Sequence, residues 1–261
     1  MDAPIDINFR AVRVSDEYEL VDSPTIATRI AARLNDAEQE PRALRLLTPP
    51  VYYSLAGGIE DNRAVNDALV AAAREIGSRA FGVAEPKYAD AAAREIERLA
   101  SLGAVGVVWS PRAQGLFGND AGLAELIRHA HGLGLLSMVH SAPYSIDEGL
   151  WRLWNLAGQC GGAPLVILGA FESWESIQQV RDAKGGPPGV FYDLSAMSEG
   201  YDLDHLVASM GADRLLFGTG GGDGFAETMG VIERSTIGEQ DRNAILHRNA
   251  AGLFPFVETP A

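Results

Sequence analysis

The sequence predicts a single α/β domain of eight parallel strands, each followed by a helix, arranged as a (β/α)8 barrel of the TIM type. Short apolar runs recur along the 261 residues, longer amphipathic segments separate them, and no shift in composition divides the chain. Apolar runs of this kind read as strands buried on both faces, as in a parallel sheet covered by helices. An open doubly wound sheet shares the same periodicity, so the apolar pattern alone leaves both arrangements open.

Taken in order, the expected strands are Ile5–Arg10, Val51–Ser54, Ala80–Glu85, Val105–Ser110, Leu135–His140, Pro164–Gly169, Gly189–Leu194 and Arg214–Gly218. Helical patterns lie between them, among them Asn62–Ile76, Asp90–Leu102, Gly122–Leu133 and Phe225–Ser235. The first of these sets Val65, Leu69, Ala72 and Ile76 along one apolar face. A terminal helix is expected from Glu239 to Leu253, with Ile245, Ala250 and Leu253 turned inward. Pro49-Pro50 and Gly185-Gly186-Pro187-Pro188 each precede an expected strand and read as barrel loops, because the alternation continues across them. The barrel is expected over residues 1–254, with 255–261 as a frayed tail, and the chain carries no internal repeat.

Hydrophobic residues make up 47% of the chain and charged residues 21%, enough apolar mass for a sizeable core. No apolar run is long enough to span a bilayer, and the first ten residues lack the basic-then-apolar pattern of a signal peptide. Cys160 is the one cysteine, so no internal disulfide can form, and a cytoplasmic protein is expected. A net charge of −14 repels polyanions, which argues against nucleic acid as a partner.

Several segments carry a more specific signal. The first strand reads Ile5-Asp6-Ile7-Asn8-Phe9-Arg10, and the segment after the second reads Asp61-Asn62-Arg63-Ala64-Val65-Asn66-Asp67. Further on come Gly103-Ala104-Val105-Gly106-Val107-Val108-Trp109 and the run from Leu133 to His140. The chain closes with Asp213-Arg214-Leu215-Leu216-Phe217-Gly218-Thr219, then Ile245-Leu246 and Asn249-Ala250-Ala251-Gly252-Leu253-Phe254. In this order the set resembles the amidohydrolase-related family that includes the aminocarboxymuconate semialdehyde decarboxylase group. The resemblance spans nearly the whole chain and favours a metal-dependent-hydrolase-like barrel over the open sheet.

The resemblance also implies a divalent ion, usually zinc, at the C-terminal mouth of the barrel, and most of its ligands are missing here. The two first-strand histidines fall at Asn8 and Arg10, the sixth-strand histidine at Ala170, and the eighth-strand aspartate at Gly220. Only the fifth-strand histidine is kept, as His140. A catalytic zinc site needs about three protein ligands, and an arginine cannot become one because it stays protonated. A rebuilt ion site from Glu85, His140 and Asp193 is the competing arrangement, and Arg10 weighs against it by competing for the same carboxylates. No cofactor is therefore expected.

Arg10 and Asn8, with Thr219, become candidates to bind an anionic substrate, the guanidinium standing where the ion is lost. The competing role for Arg10 is a structural ion pair with a mouth acid. His140, at a strand end, is a candidate general acid or base, as are Glu85 and Asp193. Salt bridges and helix caps are the commoner use of such acids, and Glu172 poses the same choice. His129, His131, His205 and His247 fall in helical segments and read as surface residues. Trp151, Trp154 and Trp174 can line a pocket for a planar substrate, or pack helices against the barrel. The run Thr219-Gly220-Gly221-Gly222-Asp223-Gly224 follows the last strand, where barrels often bind phosphate, but it lacks the spacing of a P-loop. No Ser-His-acid order supports a serine hydrolase.

Two functions follow from these residues. One is a metal-independent hydrolase or decarboxylase-like lyase acting on a small carboxylate-bearing molecule. The other is a catalytically silent barrel that serves as a binding or partner subunit, as a homodimer or alongside an active relative.

Overall fold

The computed structural model describes residues 3–12, 23–37, 43–50, 57–220 and 224–254. Among these, eight strands run parallel: β1 (Ile5–Arg10), β2 (Leu44–Thr48), β3 (Phe81–Val83), β4 (Gly106–Trp109), β5 (Leu136–His140), β6 (Leu165–Leu168), β7 (Val190–Asp193) and β8 (Leu215–Leu216). β1 pairs with β2, and β3 to β8 pair in sequence order. A bridge between Leu47 and Ala80 joins the two groups, and Ile7 N donates to Phe217 O at 3.1 Å on the other side. These links make the strands a barrel.

Helices α1 (Ser23–Ala37), α2 (Ile59–Glu75), α3 (Asp90–Leu102), α4 (Ala121–Gly132), α5 (Leu150–Gln159), α6 (Trp174–Asp182), α7 (Gly200–Met210) and α8 (Gly224–Arg234) cover the outside. Sequence patterning gave no bounds for the helix expected after β1; in α1, Arg29 and Arg33 interrupt the apolar stripe. Arg33 is nevertheless buried, its guanidinium 4.3 Å over the Phe9 ring, where a cation is favourable. The expected terminal helix is divided into α9 (Glu239–Asn243), a π-helical turn at Ala244–Arg248 and α10 (Asn249–Leu253). The wider turn belongs to the segment whose Ile245 O accepts from Phe217 N at 3.1 Å, tying the helix to the end of β8. No helix among the described residues is long and apolar enough to cross a membrane.

The second strand is a correction. It occupies Leu44–Thr48, so Pro49-Pro50 follow a strand, and the expected Val51–Ser54 lies outside the described residues. Arg45 breaks the apolar run and hides the strand from a hydrophobicity reading. In the fold its guanidinium lies 5.4 Å from the Phe9 ring, so the charge is accommodated beside an aromatic face.

Two apolar layers follow from the period-two alternation of each strand. Ile5, Ile7, Leu46, Phe81, Val108, Met138, Val166 and Leu216 fill the barrel interior, and Phe254 packs edge-on to Phe81 at 5.9 Å. Residues such as Leu47, Val107, Val139, Ile167 and Phe217 pack outward against the helices.

Candidate active site at the barrel mouth

β1 changes its inward-facing set just before it ends. Ile5 and Ile7 face the interior, but Phe9 joins the outer layer while Asn8 and Arg10 line the mouth. The cause is a register shift against β2 between Asp6 and Phe9, which inserts one extra residue on β1. Asp6 fixes this bulge, its Oδ1 accepting from Asn8 N at 3.1 Å and from Thr219 N at 3.0 Å. Its Oδ2 accepts from Thr219 Oγ1 at 2.7 Å. Complete burial pushes the Asp6 carboxyl up to about 6, against the opposing pull of these donors and of Arg45.

Above the bulge lies an open cavity of about 680 Å3. Asn8, Arg10, His140 and Leu168 line it from the strand ends, Gly169 and Glu172 from the segment after β6, and Ser195 to Ser198 from the segment after β7. Thr219, Gly220 and three residues of α8 (Gly224, Glu227 and Arg234) complete the wall. His140 continues the inward face of β5 set by Leu136 and Met138. Loss of water around its ring, and then the Arg10 cation, push its pKa down to about 3, so the imidazole is neutral at physiological pH. Glu172 is shifted upward, by partial desolvation against the opposing field of Arg10.

Asp193, at the end of β7, is fully buried beneath the cavity and does not line it. Its Oδ2 accepts from Asn8 Nδ2 at 2.8 Å, its Oδ1 from Gly169 N at 3.0 Å, and the Ser195 side chain donates as well. Burial raises its pKa, and these three donors work against that rise.

The sequence candidates are therefore divided. Asn8, Arg10, His140 and Thr219 meet in one cavity, although Thr219 spends its hydroxyl on Asp6. Glu85 is not among the residues that line this cavity: β3 ends at Val83, and Glu85 is fully buried beyond it with Lys87 Nζ 3.8 Å from Oε1. The alternative ion site of Glu85, His140 and Asp193 is accordingly not assembled, and the described residues hold no group of three or more metal-ligating side chains. Trp151 and Trp174 are exposed, and Trp154 packs against the core with Nε1 donating to Tyr192 OH at 2.8 Å. His205 is exposed, His129 Nε2 lies 3.4 Å from Glu97 Oε1, and His247 is half-buried with Nδ1 3.3 Å from Ala3 O. Gly221 to Asp223 of the glycine run lie outside the described residues. Sequence reasoning missed Thr48, Ser195, Glu227 and Arg234; the last two are spaced along one face of α8, and Thr48 ends a strand that Arg45 disguised.

Structural comparison finds the same parallel-barrel fold in proteins of known structure. A protein assigned as an amidohydrolase from Staphylococcus aureus superposes with a TM-score of 0.75 at 15% identity, over 97% of this chain and 100% of the other. 5-Carboxyvanillate decarboxylase from Sphingomonas paucimobilis gives 0.68 at 16% identity, over 97% and 99%. A dihydroxybenzoic acid decarboxylase from Polaromonas sp. JS666, with bound manganese and the inhibitor 2-nitroresorcinol, gives 0.69 at 15% identity, over 99% and 98%. No family model and no curated protein matches the sequence.

The donors at this mouth do not fit such an ion. Asn8 and Arg10 stand where the family resemblance implies two imidazoles, and Ala170, where it implies a third, is buried in the outer apolar layer. Gly220 has φ 69°, and a Cβ there would lie 2.9 Å from Ser195 Cβ. An aspartate at 220 is thus opposed by both backbone and space. His140 remains as a single nitrogen ligand facing a fixed cation.

Proposed function

We propose that this barrel binds a small carboxylate-bearing molecule at its mouth and acts on it without a divalent ion, as a hydrolase or a decarboxylase-like lyase. What carries the proposal is the pairing of a guanidinium, Arg10, with an imidazole held neutral, His140, in one open polar cavity. The guanidinium suits a carboxylate through paired charge-assisted hydrogen bonds. It also supplies fixed positive charge where negative charge grows on an oxygen, the service a metal ion provides elsewhere. A neutral imidazole offers one hydrogen-bond donor and one acceptor to the bound molecule or to a water beside it. Glu172 is a second titratable group on the same wall. The carboxylate-bearing substrates of the two decarboxylases with this fold support the choice of ligand class.

The test is calorimetric titration of metal-stripped protein with aromatic and aliphatic carboxylates, followed by NMR detection of CO2 release or hydrolysis. A charged hydrogen bond of about 1.5–3 kcal/mol makes Arg10→Gln weaken binding roughly 10- to 100-fold. Unchanged affinity in Arg10→Gln, or stoichiometric zinc or manganese coordinated at the mouth of the native protein, would overturn the proposal.

A further inference from the structure

The Asn8 amide is gripped at both ends by residues that do not themselves line the cavity. Thr48 Oγ1, at the end of β2, donates to Asn8 Oδ1 at 3.1 Å. Asn8 Nδ2 donates to Asp193 Oδ2 at 2.8 Å, at the end of β7. None of the three is more than 1% exposed.

The second contact has to pass over β8, which lies between β1 and β7. Gly218 makes the passage possible: a Cβ there would sit 3.0 Å from Asp193 Oδ2 and 3.1 Å from Asn8 Cβ. A side chain at 218 would occupy the space the contact uses.

The two partners constrain the amide differently. A threonine hydroxyl donates or accepts, so Thr48 alone tolerates either orientation of the amide. In the arrangement seen, Asp193 Oδ2 accepts from Asn8 Nδ2, and reversing the amide would set two oxygens, Asn8 Oδ1 and Asp193 Oδ2, against each other. Asp193 is itself held, with Gly169 N donating to Oδ1 at 3.0 Å and Ser195 donating too.

We propose that Asp193 and Thr48 are positioning residues that lock the Asn8 amide in one orientation, so that its nitrogen donates to an acceptor oxygen of the bound molecule. This rests on Arg10 as the carboxylate anchor, and it makes Asn8 the group that fixes how the anchored carboxylate is turned. Asp193 then acts through Asn8 and touches no substrate.

The experiment uses benzoate as the probe and the full chain. On the net worth of a buried hydrogen bond, about 1 kcal/mol or more, Thr48→Val and Asp193→Asn should bind benzoate at least ~5-fold more weakly. Thr48→Ser, which keeps the hydroxyl, should stay within about 2-fold of the native protein, a rescue that a purely packing role for the threonine methyl would not give. A second readout needs no variant: the Asn8 side-chain NH2 signal in a proton–nitrogen spectrum should move when benzoate binds. Native-like benzoate affinity in both Thr48→Val and Asp193→Asn, with binding lost only in Arg10→Gln, overturns the positioning role and leaves the anchor standing. An Asn8 signal that does not move on binding also overturns it. If the native protein binds no aryl carboxylate, the anchor fails and the positioning role falls with it.

Discussion

At the floor of the barrel the strands present Ile5, Leu46, Phe81, Val108 and Val166 to one another, and Phe254 packs among them. A few residues further along the same strands, β1 presents Asn8 and Arg10, β5 His140 and β7 Asp193. The floor is an apolar solid whose contacts are many and interchangeable. The mouth is a small set of polar groups, each with named partners, and one residue in the wrong orientation undoes it. Stability should therefore reside mainly below the β1 bulge, and ligand recognition above it.

The largest effect that can break this division is Phe81→Ala. Phe81 is fully buried and meets Phe254 edge-on, so its loss should cost about 3–5 kcal/mol in urea unfolding. Benzoate affinity, measured where the variant is still folded, should stay native-like. A parallel loss of affinity would mean that floor and mouth are one mechanical unit.

The floor was the legible part. Seven of the eight strands coincide with short runs in the sequence that are mostly apolar, because both of their faces are buried. β2 escaped because Arg45 sits inside it, and the bounds of α1 were hidden because its arginines dilute the apolar stripe. At the mouth, the order of family-like segments located Asn8, Arg10 and His140, since these end recognisable strands. It could not locate Asp193's task, because that depends on a contact spanning 185 positions and on the absence of a side chain at Gly218. Glu85 stays outside the cavity lining for a local reason: two residues beyond the end of a strand, alternation no longer says where a side chain goes.

A smaller effect separates the two regions by pH. His140 titrates at about 3 in the fold and near 6.5 in the unfolded chain, so the unfolded state takes up its proton first as pH falls. Stability attached to His140 is therefore intact above pH 6.5 and lost progressively between 6.5 and about 3. Removing the imidazole in His140→Asn should relieve this loss, worth up to about 2 kcal/mol at pH 5. Asp6 and Glu148 shift the opposite way, to about 6 and about 7, mainly through burial, so each adds stability on acidification. Both are present in either protein and cancel in the comparison. The measurement is urea unfolding of the two proteins at pH 7 and pH 5. An equal drop in both would show that the His140 ring is as well hydrated as in the unfolded chain.

The smallest effect tests whether the mouth departs from a metal site in its side chains alone or in its backbone as well. Gly220 adopts φ 69° and lies where a Cβ would approach Ser195 Cβ to 2.9 Å. Gly220→Ala should therefore cost about 1–2 kcal/mol, from the left-handed conformation together with displacement of Ser195. Ser195 donates to Asp193, so the strain should also reach the group that holds Asn8. The same geometry opposes a simple reversion. Combining Asn8→His, Arg10→His and Gly220→Asp with the native His140 supplies four of the five ligands that the family resemblance implies. The aspartate, however, enters against Ser195, and the new histidine at 8 loses the hydrogen bonds to Thr48 and Asp193 that orient the asparagine. Metal analysis of the triple variant should find well below one zinc per chain. Stoichiometric zinc would show that the scaffold still carries the ion's geometry and that side-chain chemistry alone separates this mouth from a metal site.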